Sequence, residues 1–341
     1  METKETSAGV FFYKPDNMRK PPVAKKGHPG GFLATKCLKI WKSIKKETRS
    51  NMHKVYSNKK VIFVLVFPAL LTFTFAILAP ILLSIYYGFT DYSGMGEVRF
   101  IGVENYKVLF KDTVFWKSIG NSFLLACGFI FIQHPLAIIT AAVLDRKQGK
   151  AEGIFRCIYF IPNVISVAVI AYLWKFIYNP NFGLLNNIIK IFGGEGKINW
   201  LGSGRAIWSV LIVLIWHGFG WGMLIYYTGI KNIDPTLYEA AAIDGANNRQ
   251  TFLRVTLPLM KPVIQVNVTL AIISALKQME TVYLLTNGGP GNETQFLANY
   301  LYKMAFQSFK YGYGNAISVA FVALCIIATK VMDVVFAEKE A

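Results

Sequence analysis

The sequence predicts an all-α integral membrane protein with six transmembrane helices and a helix-turn-helix loop set between the fourth and the fifth. Three observations carry this. Of 341 residues, 54% are hydrophobic and only 16% charged, against about 25% charged in a soluble domain. Charged residues are absent from a series of long runs. The formal net charge of +17 is concentrated at one end, with 15 Lys/Arg against 4 Asp/Glu in residues 1–60. This composition excludes an ordinary water-soluble enzyme. It also argues against nucleic-acid binding, because the basic excess sits in a single tail.

Residues 1–60 form that basic tail, and 61–336 the transmembrane region. Basic residues just before an apolar segment are held on the cytoplasmic side and attracted to anionic lipid headgroups. Within the tail, Leu33, Cys37, Ile40, Trp41 and Ile44 fall on one helical stripe, with Lys36, Lys39, Lys42, Lys45 and Lys46 around it. That pattern suits a helix lying on the inner membrane surface, and a solvated tail is the alternative. The first apolar core begins at Val61, too far from Met1 for a secretory signal.

The spans follow in order. Val61–Thr90 is free of charge over 30 positions, Ser118–Leu144 over 27, Ala206–Ile230 over 25 and Tyr311–Thr329 over 19. A helix needs roughly 20 apolar residues to cross hydrocarbon about 30 Å thick. Ile158–Trp174 and Pro262–Leu276 are shorter. They span only if Lys175 sits at the interface and Lys277 and Glu280 face protein. Those two charges are three apart and can pair on one helix face. His134-Pro135 in the second span reads as a kink. With the N-terminus inside, residues 145–156 contribute Arg146, Lys147, Lys150 and Arg156 to the cytoplasmic side, whereas loops 91–117, 178–205 and 287–310 offset most of their basic charge with acids. Both termini are therefore expected in the cytoplasm of a multi-pass protein of the cell membrane.

No catalytic constellation is legible. The chain lacks GxxxxGK[ST], HExxH and GxSxG, its four His are dispersed, and Cys37, Cys127, Cys157 and Cys325 form neither a disulfide framework nor a metal cluster. The subunit is expected to carry no metal or cofactor and to catalyse no covalent chemistry.

The informative stretch is the loop at 234–258. Asp234 can cap a helix with Pro235 at its first position, Ala-rich 237–243 continues it, and Gly245 supplies a left-handed stop. A second helix fits 247–256, ended by Pro258. A loop that only joined spans would need fewer residues. Its regular form suits docking of a cytoplasmic partner, or a hairpin covering helix ends.

Here the sequence resembles a known family. Glu239-Ala240-Ala241, three residues, Gly245, nine residues, Val255, one residue and Leu257-Pro258 is the pattern of the EAA loop of ABC importer permeases. Gly102-Val103-Glu104-Asn105-Tyr106, Phe115-Trp116, Asn121, Phe155-Arg156 with Ile161-Pro162, and Leu285-Thr286-Asn287-Gly288-Gly289-Pro290 resemble the carbohydrate branch of its type I members. The likeness covers about residues 58–336, with a type-1 core at about 115–336. It implies a transporter subunit that assembles with a second homologous permease, two cytoplasmic ATPase subunits that use the ATP, and an extracytoplasmic sugar-binding protein. Glu239 would pair with a basic group of the ATPase. Gly245 would be needed because a Cβ would clash in the turn and block close approach.

Periodicity offers a sugar path. Asn267, Ala271, Ser274 and Gln278 fall at i, i+4, i+7 and i+11, and His217 and Trp221 are one turn apart in the preceding span. Polar groups at membrane depth face a cavity or tie helices together. Related permeases draw substrate-facing residues from these two helices, which favours lining. A polyol or glycerol phosphate ester is an alternative cargo. An ion-coupled carrier would want intramembrane acids, and the spans hold only Glu280 and Asp333. A membrane transferase acting on lipid-linked substrate would want clustered acids or His, which are missing.

Overall fold

A computed structural model describes residues 59–146 and 149–336, so the amphipathic stripe at 33–46 lies outside the described residues. The chain divides into two units, Met1–Pro80 and Ile81–Ala341. Helix α1 (Val61–Tyr87) begins in the first and ends in the second. Its residues 62–78 are exposed all round. An apolar helix with no polar side is one solvated by hydrocarbon. It runs through Pro68 and loosens into a π-turn at Thr74–Leu78.

In the second unit, α2 (Glu104–Lys111) precedes the long span α3 (Thr113–Arg146). Asp112 starts α3 by accepting from the backbone N–H of Val114 at 2.8 Å and Phe115 at 3.3 Å. The chain does not break at His134-Pro135. A π-turn at Phe129–Gln133 absorbs the proline, whose ring and missing N–H would otherwise disrupt the helical ladder. The third predicted span is two helices, α4 (Lys150–Val164) and α5 (Val167–Ile177), bent by 97°. Pro162 removes a donor near the end of α4, and Ile165 is already extended. After α6 (Leu184–Ile191) comes α7 (Ala206–Lys231), the most buried of the spans.

The loop between spans four and five holds α8 (Pro235–Ile243) and α9 (Asn248–Leu259), and α10 (Lys261–Leu276) follows α9 at a 67° bend. Pro258 does not end the second loop helix as the sequence suggested. It lies in the last turn of α9, just after a π-turn at Phe252–Thr256. The break comes at Met260, just before Pro262 near the start of α10. Lys277 and Glu280 do not pair either. Helix α10 stops at Leu276, and Glu280 opens α11 (Glu280–Leu285), so the helical spacing that would juxtapose them is lost. The chain closes with α12 (Leu297–Tyr302) and α13 (Tyr311–Phe336). Among the described residues, four helices are long and apolar enough to cross a membrane alone, and six crossings result when each bent pair is one span.

Helix α7 packs on α3 and α4, α10 on α3 and α13, and α11 on α5. One core gathers Leu125, Val210, Val213 and Phe296. A second gathers Ala137, Ala141, Met223, Tyr226 and Met260. Gly220 sets the α4–α7 crossing, since a Cβ there would lie 2.0 Å from the Tyr159 carbonyl oxygen. Small residues let helices approach in this way where no hydrophobic force draws them together.

Polar side chains tie the end opposite α8. Asn105 donates to the carbonyls of Gly88 at 3.0 Å and Thr90 at 2.8 Å, and Asn121 to those of Glu293 at 2.9 Å and Gln295 at 2.8 Å. Asp112 accepts from the hydroxyls of Tyr300 and Tyr313. Burial works to raise the Asp112 carboxyl, but the two phenols and two backbone N–H groups outweigh it and hold it below the usual carboxylate range. Its stabilisation is therefore complete above about pH 4, the unfolded value, and is lost as pH falls through the lower folded value. Asp112→Asn should lower thermal stability in detergent at pH 7 by about 1 kcal/mol, allowing for partial exposure. The gap to wild type should close on acidification. A gap that does not narrow at all as the pH falls below the unfolded value would rule the carboxylate out as its source.

Candidate functional site

Two features stand out, one inside the bundle and one at its end. The first is a cavity of about 250 Å³ between α3, α7 and α10, with Asn163 from the last turn of α4. His217, Trp221, Asn267, Ser274 and Gln278 all line it. The two faces read from periodicity thus meet in one place. The last position is reached differently from the first four. Gln278 lies beyond the end of α10, and the chain there still directs it to the cavity.

Gln133, His134 and Asn163 complete the polar wall and were not singled out as lining residues from sequence. Gln133 follows from the π-turn in α3, where one extra residue per turn rotates the side chains off helical register. His134 is fixed by a 2.8 Å hydrogen bond between its Nδ1 and the Tyr226 hydroxyl. Asn163 is carried to the cavity by the end of α4, just ahead of the bend. Gln133 Oε1, His134 Nε2 and Asn163 Nδ2 are buried without a protein partner. Each such group costs about 1–3 kcal/mol unless something fills its valence, so this wall carries polar capacity that the described chain does not use. Asn267 is the exception, since its amide donates to the Val263 carbonyl of its own helix at 3.1 Å. Among the described residues, no Asp, Glu, Lys or Arg lines the cavity. One flank is open, where Trp221 is 58% exposed and Leu270 and Ser274 also face outward.

The second feature is the α8–α9 turn, whose helix caps are made by its own residues. Asp234 Oδ1 accepts from the Thr236 N–H at 2.9 Å, with Pro235 at the first helical position. Helix α8 ends with Gly245 N–H on the Ala242 carbonyl at 3.1 Å and Ala246 N–H on that of Ala241 at 2.9 Å. This is the Schellman pattern, which puts a left-handed residue after the helix, and Gly245 has φ +74°. The expected clash is absent: a Cβ on Gly245 would meet nothing within 4 Å among the described residues. The glycine is required here by backbone conformation. Asn247 and Gln250 then close a reciprocal capping box at the start of α9.

Within this turn Ala241 is buried, while Glu239 and Ala240 are exposed. Ile243 stands 86% exposed at the tip, and Leu237 is exposed on the same helix. Leu257 is half-buried and Pro258 exposed, at the junction with α10. The Tyr238 hydroxyl lies 3.3 Å from Thr256 Oγ1, which braces α8 against α9. The Asp234 carboxyl is held below its ordinary range by the Thr236 backbone and hydroxyl donors. The result is a rigid, self-capped element that presents an acid and bare apolar side chains.

Comparison with known proteins bears on both features. Residues 133–338 match the family described as binding-protein-dependent transport system inner membrane component. "Probable ABC transporter permease protein YurN" of Bacillus subtilis is 36% identical over 83% of this chain and 97% of its own length. "Multiple sugar-binding transport system permease protein MsmF" of Streptococcus mutans is 33% identical over 73% of this chain and 86% of its own. Among solved structures, a chain of a bacterial alginate ABC transporter, in complex with alginate pentasaccharide-bound periplasmic protein, superimposes with a TM-score of 0.71. That match covers 83% of this chain and 95% of the other at 22% identity, and so shows a shared fold.

Proposed function

Because the chain belongs to the family of binding-protein-dependent transport system inner membrane components, we propose that it is the subunit that passes a sugar across the cytoplasmic membrane in an ATP-driven importer. The observation that carries the substrate class is the cavity. Amides and imidazoles both donate and accept, as sugar hydroxyls do, and Trp221 offers a flat apolar face to a ring. A glycerol phosphate ester would need a cation, and this wall supplies none. The sugar named for MsmF, a relative of similar length, supports the same class.

In this reading the α8 end is cytoplasmic, as are both termini, in keeping with the basic residues at 145–156. The open flank at Trp221 is closed by a second homologous permease. Glu239 and the bare side chains of α8 dock into one of two ATPase subunits, and Gly245, Ala240, Ala241, Leu257 and Pro258 hold the docking shape. ATP-driven closure of the ATPases moves α8, and the capped α8–α9 turn transmits that motion to α10 and its cavity face as a rigid element. A sugar-binding protein delivers cargo at the opposite end.

Trp221→Ala and Gln278→Ala should each weaken uptake of the cognate sugar about tenfold or more, while the ATPase still co-purifies. Uptake measured with radiolabelled sugar in cells decides this. Normal affinity in both variants would remove the cavity from the path.

A further inference from the structure

A second recess, of about 330 Å³, lies at the α8 end, where the last turns of α3 meet the start of α9. Its walls differ in kind from the sugar cavity. Ile139 and Val143 supply an apolar side that is half exposed on the outer face of α3, and Phe252 closes it from α9. Arg146 and Arg249, both exposed, also line it.

Several features leave these two cations available. Asp145, beside Arg146, is already engaged with Lys231 at 2.8 Å. Arg146 Nη2 donates to the Asn248 carbonyl at 2.9 Å, which fixes the guanidinium against the backbone that leads into Arg249. Among the described residues, neither arginine has a carboxylate within 4.0 Å. Arg146 is the final residue of a membrane-crossing helix. Ile139, seven residues earlier, is therefore about 10 Å deeper along the axis, at the level of acyl chains.

We propose that this recess is a headgroup site for an anionic phospholipid, with Arg146 and Arg249 holding the phosphate and Ile139, Val143 and Phe252 flanking an acyl chain. Basic pockets between helices at a membrane face recognise acidic lipids in this way. A free phosphate would gain nothing from the apolar wall, and an acidic surface of a protein partner could not reach the depth of Ile139. The proposal rests on the seating of the α8 end at a membrane face, and not on the coupling role of α8. A filled recess would brace the α3–α9 junction, so lipid composition would set the stiffness of the loop.

The test is native mass spectrometry of the full-length chain released from detergent after incubation with phosphatidylglycerol or phosphatidylcholine. Wild type should retain phosphatidylglycerol selectively. Arg146→Gln with Arg249→Gln should bind it about thirtyfold more weakly, from two basic contacts. Arg146→Lys with Arg249→Lys should retain most of the binding and controls for folding. Tail variants Lys42→Gln, Lys45→Gln and Lys46→Gln separate this site from the basic terminus. Equal retention by wild type and the glutamine pair, or loss only in the tail variants, overturns the proposal. So does unchanged retention in a glutamine pair that no longer captures an ATPase, which would make the arginines a protein contact. Failure of any ATPase to co-purify with wild type counts against the importer reading and leaves the lipid result standing.

Discussion

Glu239→Ala should abolish sugar uptake while leaving the protein in the membrane and folded. The side chain is exposed and makes no hydrogen bond or ion pair among the described residues, so its removal disturbs nothing there. If it meets a cation on the ATPase, deletion leaves that partner charge buried and unpaired. The cost is about 2–5 kcal/mol, or roughly thirtyfold to several thousandfold in docking affinity. Gly245→Trp should act by another route to the same end. A left-handed φ of +74° costs a residue with a Cβ about 1–2 kcal/mol, and the bulky ring would stand in the open space of the turn. The measurement is co-purification of ATPase subunits and their hydrolysis rate with wild type and both variants. Loss of ATPase with the second permease still bound locates the coupling at α8. If wild type brings down no ATPase, the importer reading fails at its centre.

Gly220→Val should destabilise the bundle itself. The new Cβ would sit 2.0 Å from the Tyr159 backbone oxygen and 3.0 Å from Asn163 Nδ2. Backbone cannot rotate away, so α4 and α7 must separate, and overpacking of this kind costs about 1–3 kcal/mol or more. Because Asn163 rides on α4, the same displacement opens the polar cavity, so uptake should fall along with the unfolding temperature. Gly120→Ala, on an open face of α3 with nothing within 4 Å, provides the comparison and should be neutral or mildly stabilising. Equal unfolding temperatures for Gly220→Val and wild type would show that the crossing can relax, contrary to the geometry.

The parts of this molecule that were legible in its sequence are those where the chain behaves as an ideal helix. His217 and Trp221, and Asn267 with Ser274, could be paired by counting turns, and α7 and α10 keep that count. Asp234, Pro235 and Gly245 announced α8 through local chemistry that needs no tertiary partner. Gln133 and Asn163 were hidden because each lies beside a proline where the count fails, at the π-turn before Pro135 and at the bend after Pro162. The Lys277–Glu280 pairing fails for the same reason, since helical spacing does not extend past the end of α10 at Leu276. The motif residues Asn105 and Asn121 were visible from the start, but their work was not. Each satisfies carbonyls contributed by segments remote in sequence, which no local pattern reveals.

The two bent spans bear on how the protein enters a membrane. Helix α5 has 11 residues and α4 has 15, lengths of roughly 16 and 22 Å against a hydrocarbon layer of about 30 Å. Neither can thread the bilayer as an independent rod, and the backbone groups freed at the break need protein or water around them. Biogenesis of this chain is thus a two-speed affair. The four straight helices can partition into lipid on their own hydropathy as they are synthesised. The third crossing must wait for α7, made later, to give its broken middle a surface to rest on.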